Sequence, residues 1–204
     1  MNIMMIEDVK IFLEEYFTRY KQIVKQYYPA HKKNGFTEQN MTVCFASTVE
    51  KYCEDSFAWY EVPVLDSNQK YSNHIDAVIF DTVGNNIFLV ESKRFSTPAR
   101  KIKELGNDIN RMCDPAVIST ICEGLKNQMD FPNVFGIVLA DVWPSQKGEK
   151  EKIFESWKAK IFLCDYSDKL ELKQNVMPLY HHAEYDIKGY KHVLLALAFE
   201  VHKS

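Results

Sequence analysis

The hydrophobic residues of this chain recur at two periods, and the period predicts whether a segment is helical or extended. Spacings of three and four, typical of amphipathic helices, occur in four segments, which are residues 6–28, 37–53, 99–112 and 115–127. Short runs rich in β-branched and aromatic residues indicate strands, and they cover residues 57–65, 74–81, 86–95 and 134–143. The predicted order is therefore two helices, three strands, two helices and a strand.

The pattern continues beyond residue 143 with less regular segments. A polar loop over residues 144–152 is followed by a predicted helix over 153–160 and a strand over 161–166. His181 and His182 are predicted to lie in a loop without a metal ion, since no third ligand is spaced nearby. Apolar residues at helical spacing over 189–203 predict a buried closing helix.

These elements predict a single domain of the mixed α/β class, because no repeat, low-complexity segment or linker interrupts them. We divide the chain into an N-terminal helical extension (1–35), a core (37–143) and a C-terminal elaboration (144–204). The apolar stripe of the first helix is expected to pack on its own domain, and a homodimer seam is the alternative.

The two central strands form a predicted hairpin around the turn Thr82–Asn85. If Asp81 pairs with Asn86, residues whose numbers sum to 167 lie opposite each other. Asp76 then faces Glu91, and Lys93 shares that face.

Two carboxylates in this arrangement repel each other. Directly opposed side chains lie about 5 Å apart at Cβ, and at an effective dielectric near 20 the repulsion is on the order of 3 kcal/mol. A chain that opposes Asp76 and Glu91 therefore needs a proton, a lysine or a metal cation between them.

The pattern of Asp76 followed by Glu91-Ser92-Lys93 resembles the active-site hairpin of the PD-(D/E)XK nuclease superfamily. This chain has Ile75 where the family name places proline. The predicted order of elements over residues 37–143 is also similar to the αβββαβ core of the restriction-endonuclease-like fold, a central mixed sheet flanked by helices. Extra helices are expected at both ends of this core.

The resemblance implies a metal-dependent hydrolysis of phosphodiester bonds. Asp76 and Glu91 would be ligands of Mg²⁺ or Mn²⁺, together with the carbonyl oxygen of Ser92. Lys93 would position the attacking water and stabilise the negative transition state. The catalytic residues would thus be Asp76, Glu91 and Lys93, with one further acid.

That further acid is expected on the helix before the first strand. Related nucleases often carry Glu-x-x-Leu-Thr there, which is similar to Glu38-Gln-Asn-Met-Thr42. Glu38 is therefore the first candidate, as a catalytic residue and as a metal ligand. Glu50 is the reserve candidate, and Glu61 in the first strand is a third acid that could point into the same cleft.

Charge changes this picture only locally. The chain has 204 residues, a formal charge of −3 and a pI near 6.1, so a basic surface for nucleic acid must be confined to a segment. Residues 19–35 carry five bases and no acid, and residues 93–111 carry six bases and two acids, an excess of four. The predicted nucleic-acid-binding residues all lie in the second segment, and they are Arg94, Arg100, Lys101, Lys103 and Arg111.

The amino terminus lacks the basic start and apolar run of a signal peptide, and no apolar stretch approaches ~20 residues. We therefore expect a cytoplasmic protein with no membrane partner, acting on nucleic acid, with DNA as the first expectation and RNA left open. Five cysteines without a Cys-x-x-Cys pair predict neither a zinc site nor a disulfide framework.

Two other interpretations of the hairpin remain open. In the first, the chain is a nuclease-like domain without catalysis that binds nucleic acid or a protein partner. In the second, Glu91 and Lys93 form a silent surface ion pair worth less than about 1 kcal/mol.

Overall fold

A computed structural model describes residues 4–26, 38–65, 73–95, 98–125, 133–142, 179–187 and 190–201. Within these ranges the chain forms four helices, α1 (Val9–Gln26), α2 (Glu38–Tyr52), α3 (Pro98–Met112) and α4 (Pro115–Glu123). The strands are β1 (Ser56–Val64), β2 (Asn73–Asp81), β3 (Asn86–Phe95), β4 (Asn133–Val142), β5 (Leu179–Ile187) and β6 (Tyr190–Glu200). The predicted mixed α/β class is confirmed.

The strands form one six-stranded sheet in the order β1-β2-β3-β4-β6-β5 among the described residues. Neighbouring strands are antiparallel except β3 and β4, which are parallel. A parallel pair needs a crossover connection, and α3 and α4 lie within it. Pro63 lies in the edge strand β1, where a missing amide hydrogen is tolerated.

Helices cover both faces of the sheet, which produces two hydrophobic cores. The first core packs α1 and α2 against one face, with Tyr16, Phe45 and Phe88 among its fully buried side chains. The second core packs α3 and α4 against the other face and includes Leu105 and Ile118. The predicted packing of the first helix on its own domain is confirmed. Among the described helices, none contains a stretch long and apolar enough to cross a membrane.

Each helix and strand predicted up to residue 143 is present, with bounds shifted by a few residues. The predicted closing helix over 189–203 is wrong, because residues Tyr190–Glu200 form strand β6. This strand lies between β4 and β5, and alternate residues enter opposite cores, Leu194 the first and Leu195 the second. A strand buried on both faces needs a continuous apolar run, which satisfies helical spacing as well.

The loop predicted around His181 and His182 is also wrong, because both residues lie in β5. The helix predicted over 153–160 and the strand predicted over 161–166 lie outside the described residues.

The hairpin between β2 and β3 has the predicted register, from Ala77 opposite Val90 to Asp81 opposite Asn86. Its turn is organised by the buried carboxylate of Asp81, which accepts hydrogen bonds from the backbone N–H of Gly84 at 2.9 Å and the side chain of Asn86 at 2.7 Å. A Cβ at Gly84 would collide with that carboxylate.

Gly136 of β4 pairs with Phe199 of β6. The Phe199 ring occupies the space in which a side chain at position 136 would lie. The glycine is therefore required by packing at this position.

Candidate functional site

The carboxyl end of β3 presents polar side chains to both faces of the sheet. Glu91 and Lys93 contact α3, whereas the Ser92 hydroxyl lies 2.8 Å from the hydroxyl of Thr42 on α2. This alternation follows from the two-residue period of a strand. Glu91 and Lys93 therefore lie on the α3 side of the sheet, and Ser92 lies on the α2 side.

On the α3 side, two acids and two bases form a compact cluster, which we call the charge quartet: Glu91, Lys93, Asp108 and Arg111. Nη2 of Arg111 donates to Oε1 of Glu91 at 2.6 Å and to Oδ1 of Asp108 at 2.7 Å. Nζ of Lys93 lies 2.9 Å from Oδ2 of Asp108 and 3.8 Å from Oε2 of Glu91. The four side chains are at most 16% exposed, so these charges are screened little by solvent.

Burial dominates the electrostatics of the acids. It raises the pKa of Glu91 to about 8, with a further contribution from Asp76, and Arg111 opposes this shift. The pKa of Asp76 is also raised, mainly by burial, although the backbone N–H of Ser92 and the charge of Lys93 oppose it. Oε2 of Glu91 has no hydrogen-bond partner among the described residues. Glu91 therefore holds a proton readily unless a cation compensates its charge.

Burial acts on the pKa of Lys93 in the direction opposite to its effect on the acids. Burial lowers its pKa, but the carboxylates of Asp108 and Glu91 outweigh burial, so the pKa of Lys93 is raised overall. The side chain therefore remains an ammonium and acts as a hydrogen-bond donor and a positive charge.

Asp76 lies where β2 and β3 separate. The paired ladder ends at Ala77 and Val90, one position before Asp76 and Glu91 would be opposed. Oδ2 of Asp76 instead accepts a hydrogen bond from the backbone N–H of Ser92 at 2.7 Å. The predicted register is confirmed. Where the backbone pairing of β2 with β3 stops, the hydrogen bond from Ser92 to the Asp76 carboxylate continues the contact between the two strands.

Glu38 lies at the start of α2, above the same end of the sheet. Its Oε1 accepts a hydrogen bond from the backbone N–H of Arg94 at 2.8 Å, and its charge contributes to the raised pKa of Asp76. Glu50 lies about 18 Å further along the helix axis, given 1.5 Å per residue, and is exposed. Of these two candidates, Glu38 is the one beside Asp76.

Glu61 also lies beside Asp76, in company with a residue that the sequence did not single out. Oε2 of Glu61 is 2.9 Å from Nε2 of His74, and ligand atoms of Glu61, His74 and Asp76 all lie within 4.8 Å of one another. Among the described residues this is the group of three metal-ligating side chains that meets that distance. The sequence signal for His74 is its position two residues before Asp76 on the same strand.

The metal set predicted from the resemblance, Asp76, Glu91 and Glu38, does not meet that distance in this structure. In this structure Glu91 is instead engaged by Arg111 at 2.6 Å. The charges nevertheless suit a divalent cation. Four acids (Glu38, Asp76, Glu91 and Asp108) and two bases (Lys93 and Arg111) leave a charge of −2 when all are ionised.

The predicted nucleic-acid-binding residues fall into three groups. Arg111 is largely buried and is held by Glu91 and Asp108. Arg94 is half-buried, and its charge acts on Tyr20 of α1. The remaining three lie in the first two turns of α3, with side chains outside the described part of the chain, and they are Arg100, Lys101 and Lys103. Their role in binding nucleic acid stays a prediction.

No protein-family model matches this sequence, and no curated protein matches it. The resemblance to the PD-(D/E)XK nucleases therefore depends on Asp76, Glu91, Lys93 and the order of elements around them.

Proposed function

We propose that this protein is a metal-dependent nuclease that hydrolyses phosphodiester bonds of DNA or RNA through a PD-(D/E)XK site. One observation carries the proposal. At the end of the hairpin, the carboxylates of Asp76 and Glu38 accept hydrogen bonds from the backbone N–H groups of Ser92 and Arg94, on either side of Lys93 and next to Glu91.

The chemistry of the side chains fits Mg²⁺ or Mn²⁺, since both ions prefer hard oxygen ligands. Asp76, Glu91 and the Ser92 carbonyl would hold the ion, with Glu38 binding directly or through water. When bound, a divalent ion lowers the pKa of a water ligand and neutralises charge on the phosphate. Because the pKa of Glu91 is about 8, ion binding at neutral pH must compete with a proton on this carboxyl.

Lys93 supplies the positive charge on the protein's side of the reaction. Its ammonium would orient the attacking water and stabilise negative charge that develops on the phosphate oxygens. Asp108 is a positioning residue, because its Oδ2 lies 2.9 Å from Nζ of Lys93. Arg100, Lys101 and Lys103 would contact the phosphate backbone.

The direct test is incubation with single- and double-stranded DNA and RNA in the presence of Mg²⁺ or Mn²⁺. Asp76→Ala and Lys93→Ala are each expected to lower cleavage by at least about 100-fold, since each removes a charge that acts in the transition state. Lys51→Ala is the matched control, because Lys51 is an exposed lysine of α2 that pairs with Glu15 away from the hairpin. Cleavage retained by a folded Asp76→Ala/Lys93→Ala protein would contradict the proposal.

One observation favours the second candidate, a nuclease-like domain without catalysis that binds nucleic acid or a protein. Arg111 engages Glu91 at 2.6 Å, which satisfies part of the charge that a metal ion would otherwise neutralise. Thermal unfolding with and without Mg²⁺ discriminates between the candidates, since an ion that binds the native state raises the midpoint and Mg²⁺ suits a set of oxygen ligands. No shift at millimolar Mg²⁺ would favour the second candidate.

A further inference from the structure

The edge strand β1 and its neighbour β2 bring Glu61 and His74 next to Asp76. We propose that Glu61, His74 and Asp76 bind a divalent transition-metal ion at a second site, which shares Asp76 with the proposed nuclease site. This inference goes beyond the proposed function, because binding of this ion does not require that the protein cleaves nucleic acid.

The geometry of the three side chains is that of a ligand set. One ligand atom of each residue lies within 4.8 Å of the others, and Nε2 of His74 is 2.9 Å from Oε2 of Glu61. The side chains of His74 and Glu61 are 55% and 49% exposed, so an ion and its water ligands can reach them. As an exposed ion pair alone, the contact would be worth less than about 1 kcal/mol.

The backbone brings Glu61 and Asp76 together by a local break in the β1–β2 ladder. Tyr60 pairs with Ala77 and Val62 pairs with Ile75, but the intervening Glu61 and Asp76 are unpaired in the ladder. Glu61 has a φ of 51°, a left-handed conformation that non-glycine residues rarely adopt. Beyond this point the strand reverses its alternation, since Ala58 packs on the first core and Val62 in the second.

The carboxylates around this ligand set supply a second argument for a cation. Glu91 is only 1% exposed, and its Oε2 has no hydrogen-bond partner among the described residues. Asp76 interacts with the charges of Glu38, Glu61 and Glu91. A positive ion bound at Asp76 would relieve this repulsion between acids.

The ligand types predict which ions bind. An imidazole nitrogen with two carboxylates favours first-row transition metals, whose affinities rise from Mn²⁺ through Co²⁺ and remain high at Zn²⁺. The set proposed for the nuclease site contains oxygen ligands alone and suits Mg²⁺. Co²⁺ is therefore a suitable probe, because its visible absorption also reports the type of ligand.

The experiment titrates Co²⁺ into the full chain by calorimetry and visible absorption, in a Glu91→Gln background. This background removes a ligand of the proposed nuclease site but none of the second site. Adding His74→Gln or Glu61→Gln is expected to weaken Co²⁺ binding by at least about tenfold. Glu14→Gln is the matched control, since Glu14 is an exposed glutamate of α1 that pairs with Lys10, and binding should change by less than about twofold.

The outcomes separate this inference from the proposed function, because cleavage is not the readout. Co²⁺ binding that persists in Glu91→Gln and falls with His74→Gln supports the second site, whether or not the protein is a nuclease. Loss of Co²⁺ binding in Glu91→Gln alone overturns it, because the ion then occupies the nuclease site. Affinity unchanged by both His74→Gln and Glu61→Gln, in variants that unfold at the same temperature, also overturns it.

Discussion

The two faces of β3 bury polar groups in different ways. On the α2 side, the Ser92 and Thr42 hydroxyls bond each other at 2.8 Å, and the neighbouring strand's Asp141 accepts a 2.6 Å hydrogen bond from Tyr20 of α1. On the α3 side, the charge quartet leaves Oε2 of Glu91 and Nε of Arg111 without hydrogen-bond partners among the described residues.

The difference lies in the charge that is buried: the quartet places two acids and two bases out of solvent, whereas each contact on the α2 side involves at most one carboxylate. A buried hydrogen bond that is satisfied contributes modestly to stability and fixes the geometry of its elements. A buried carboxyl with an unused oxygen costs stability, and such costs are concentrated at functional sites. Under the proposed function, the charge quartet on the α3 side and Glu38 at the start of α2 serve the reaction, whereas the Tyr20–Asp141 contact stabilises the fold.

The largest effect is expected when the quartet loses a cation. Arg111→Met should lower the free energy of unfolding by about 3 kcal/mol, because it leaves Glu91 and Asp108 with one compensating base between them. Urea denaturation at neutral pH measures this change. In the Arg111→Met/Glu91→Gln protein much of the loss should be recovered, since one buried acid is gone. Equal losses in the single and double variants would show that the quartet is not coupled in this way.

On the other face, Tyr20→Phe should lower the free energy of unfolding by about 2 kcal/mol, since Asp141 is fully buried and loses a charge-assisted hydrogen bond. Cleavage should be unaffected, because Tyr20 and Asp141 lie outside the proposed site. Tyr52→Phe removes the hydroxyl of an exposed tyrosine on α2 and is the control, with an expected change within about 0.5 kcal/mol. A Tyr20→Phe protein that is fully stable but inactive would contradict a purely structural role for the Tyr20–Asp141 contact.

The last effect is a dependence on pH that the burial of Glu91 should produce. The pKa of Glu91 is about 8 in the native state and near 4.5 when exposed, so the native state binds this proton more strongly than the unfolded state. Its contribution to stability is complete below the lower value and is lost as the pH rises through the higher one. Between about pH 5 and pH 8 the wild-type chain should therefore lose at least about 1 kcal/mol more than Glu91→Gln. Parallel pH profiles in urea unfolding would exclude this account.

The sequence predicts the fold best where the period of the apolar residues is unambiguous. The β2–β3 hairpin is local, and its turn residues determine the register, so Asp76 could be related to Glu91 by number alone. The segment 190–200 could not be assigned in the same way, because Leu and Ala runs satisfy both periods and the position of β6 depends on β4 and β5. Tertiary position therefore decided the outcome there.

The site was predicted less completely, because Asp108 and Arg111 contact Glu91 and Lys93 only if their face of α3 meets the sheet. Leu105, Asp108, Ile109 and Met112 follow one helical stripe, and an aspartate within an apolar stripe is the signal that a buried charge partner is present. The Glu61–His74 contact depends on a break in the ladder that no periodicity encodes. Glu61 can be placed beside Asp76 only once the pairing of β1 with β2 is known.

The ring of Phe199 above Gly136 has a consequence for how this chain can change over generations. The two positions divide one fixed volume between neighbouring strands. A larger residue at 136 becomes acceptable only after the aromatic ring at 199 has been exchanged for something smaller, so the order in which the two substitutions arise is constrained.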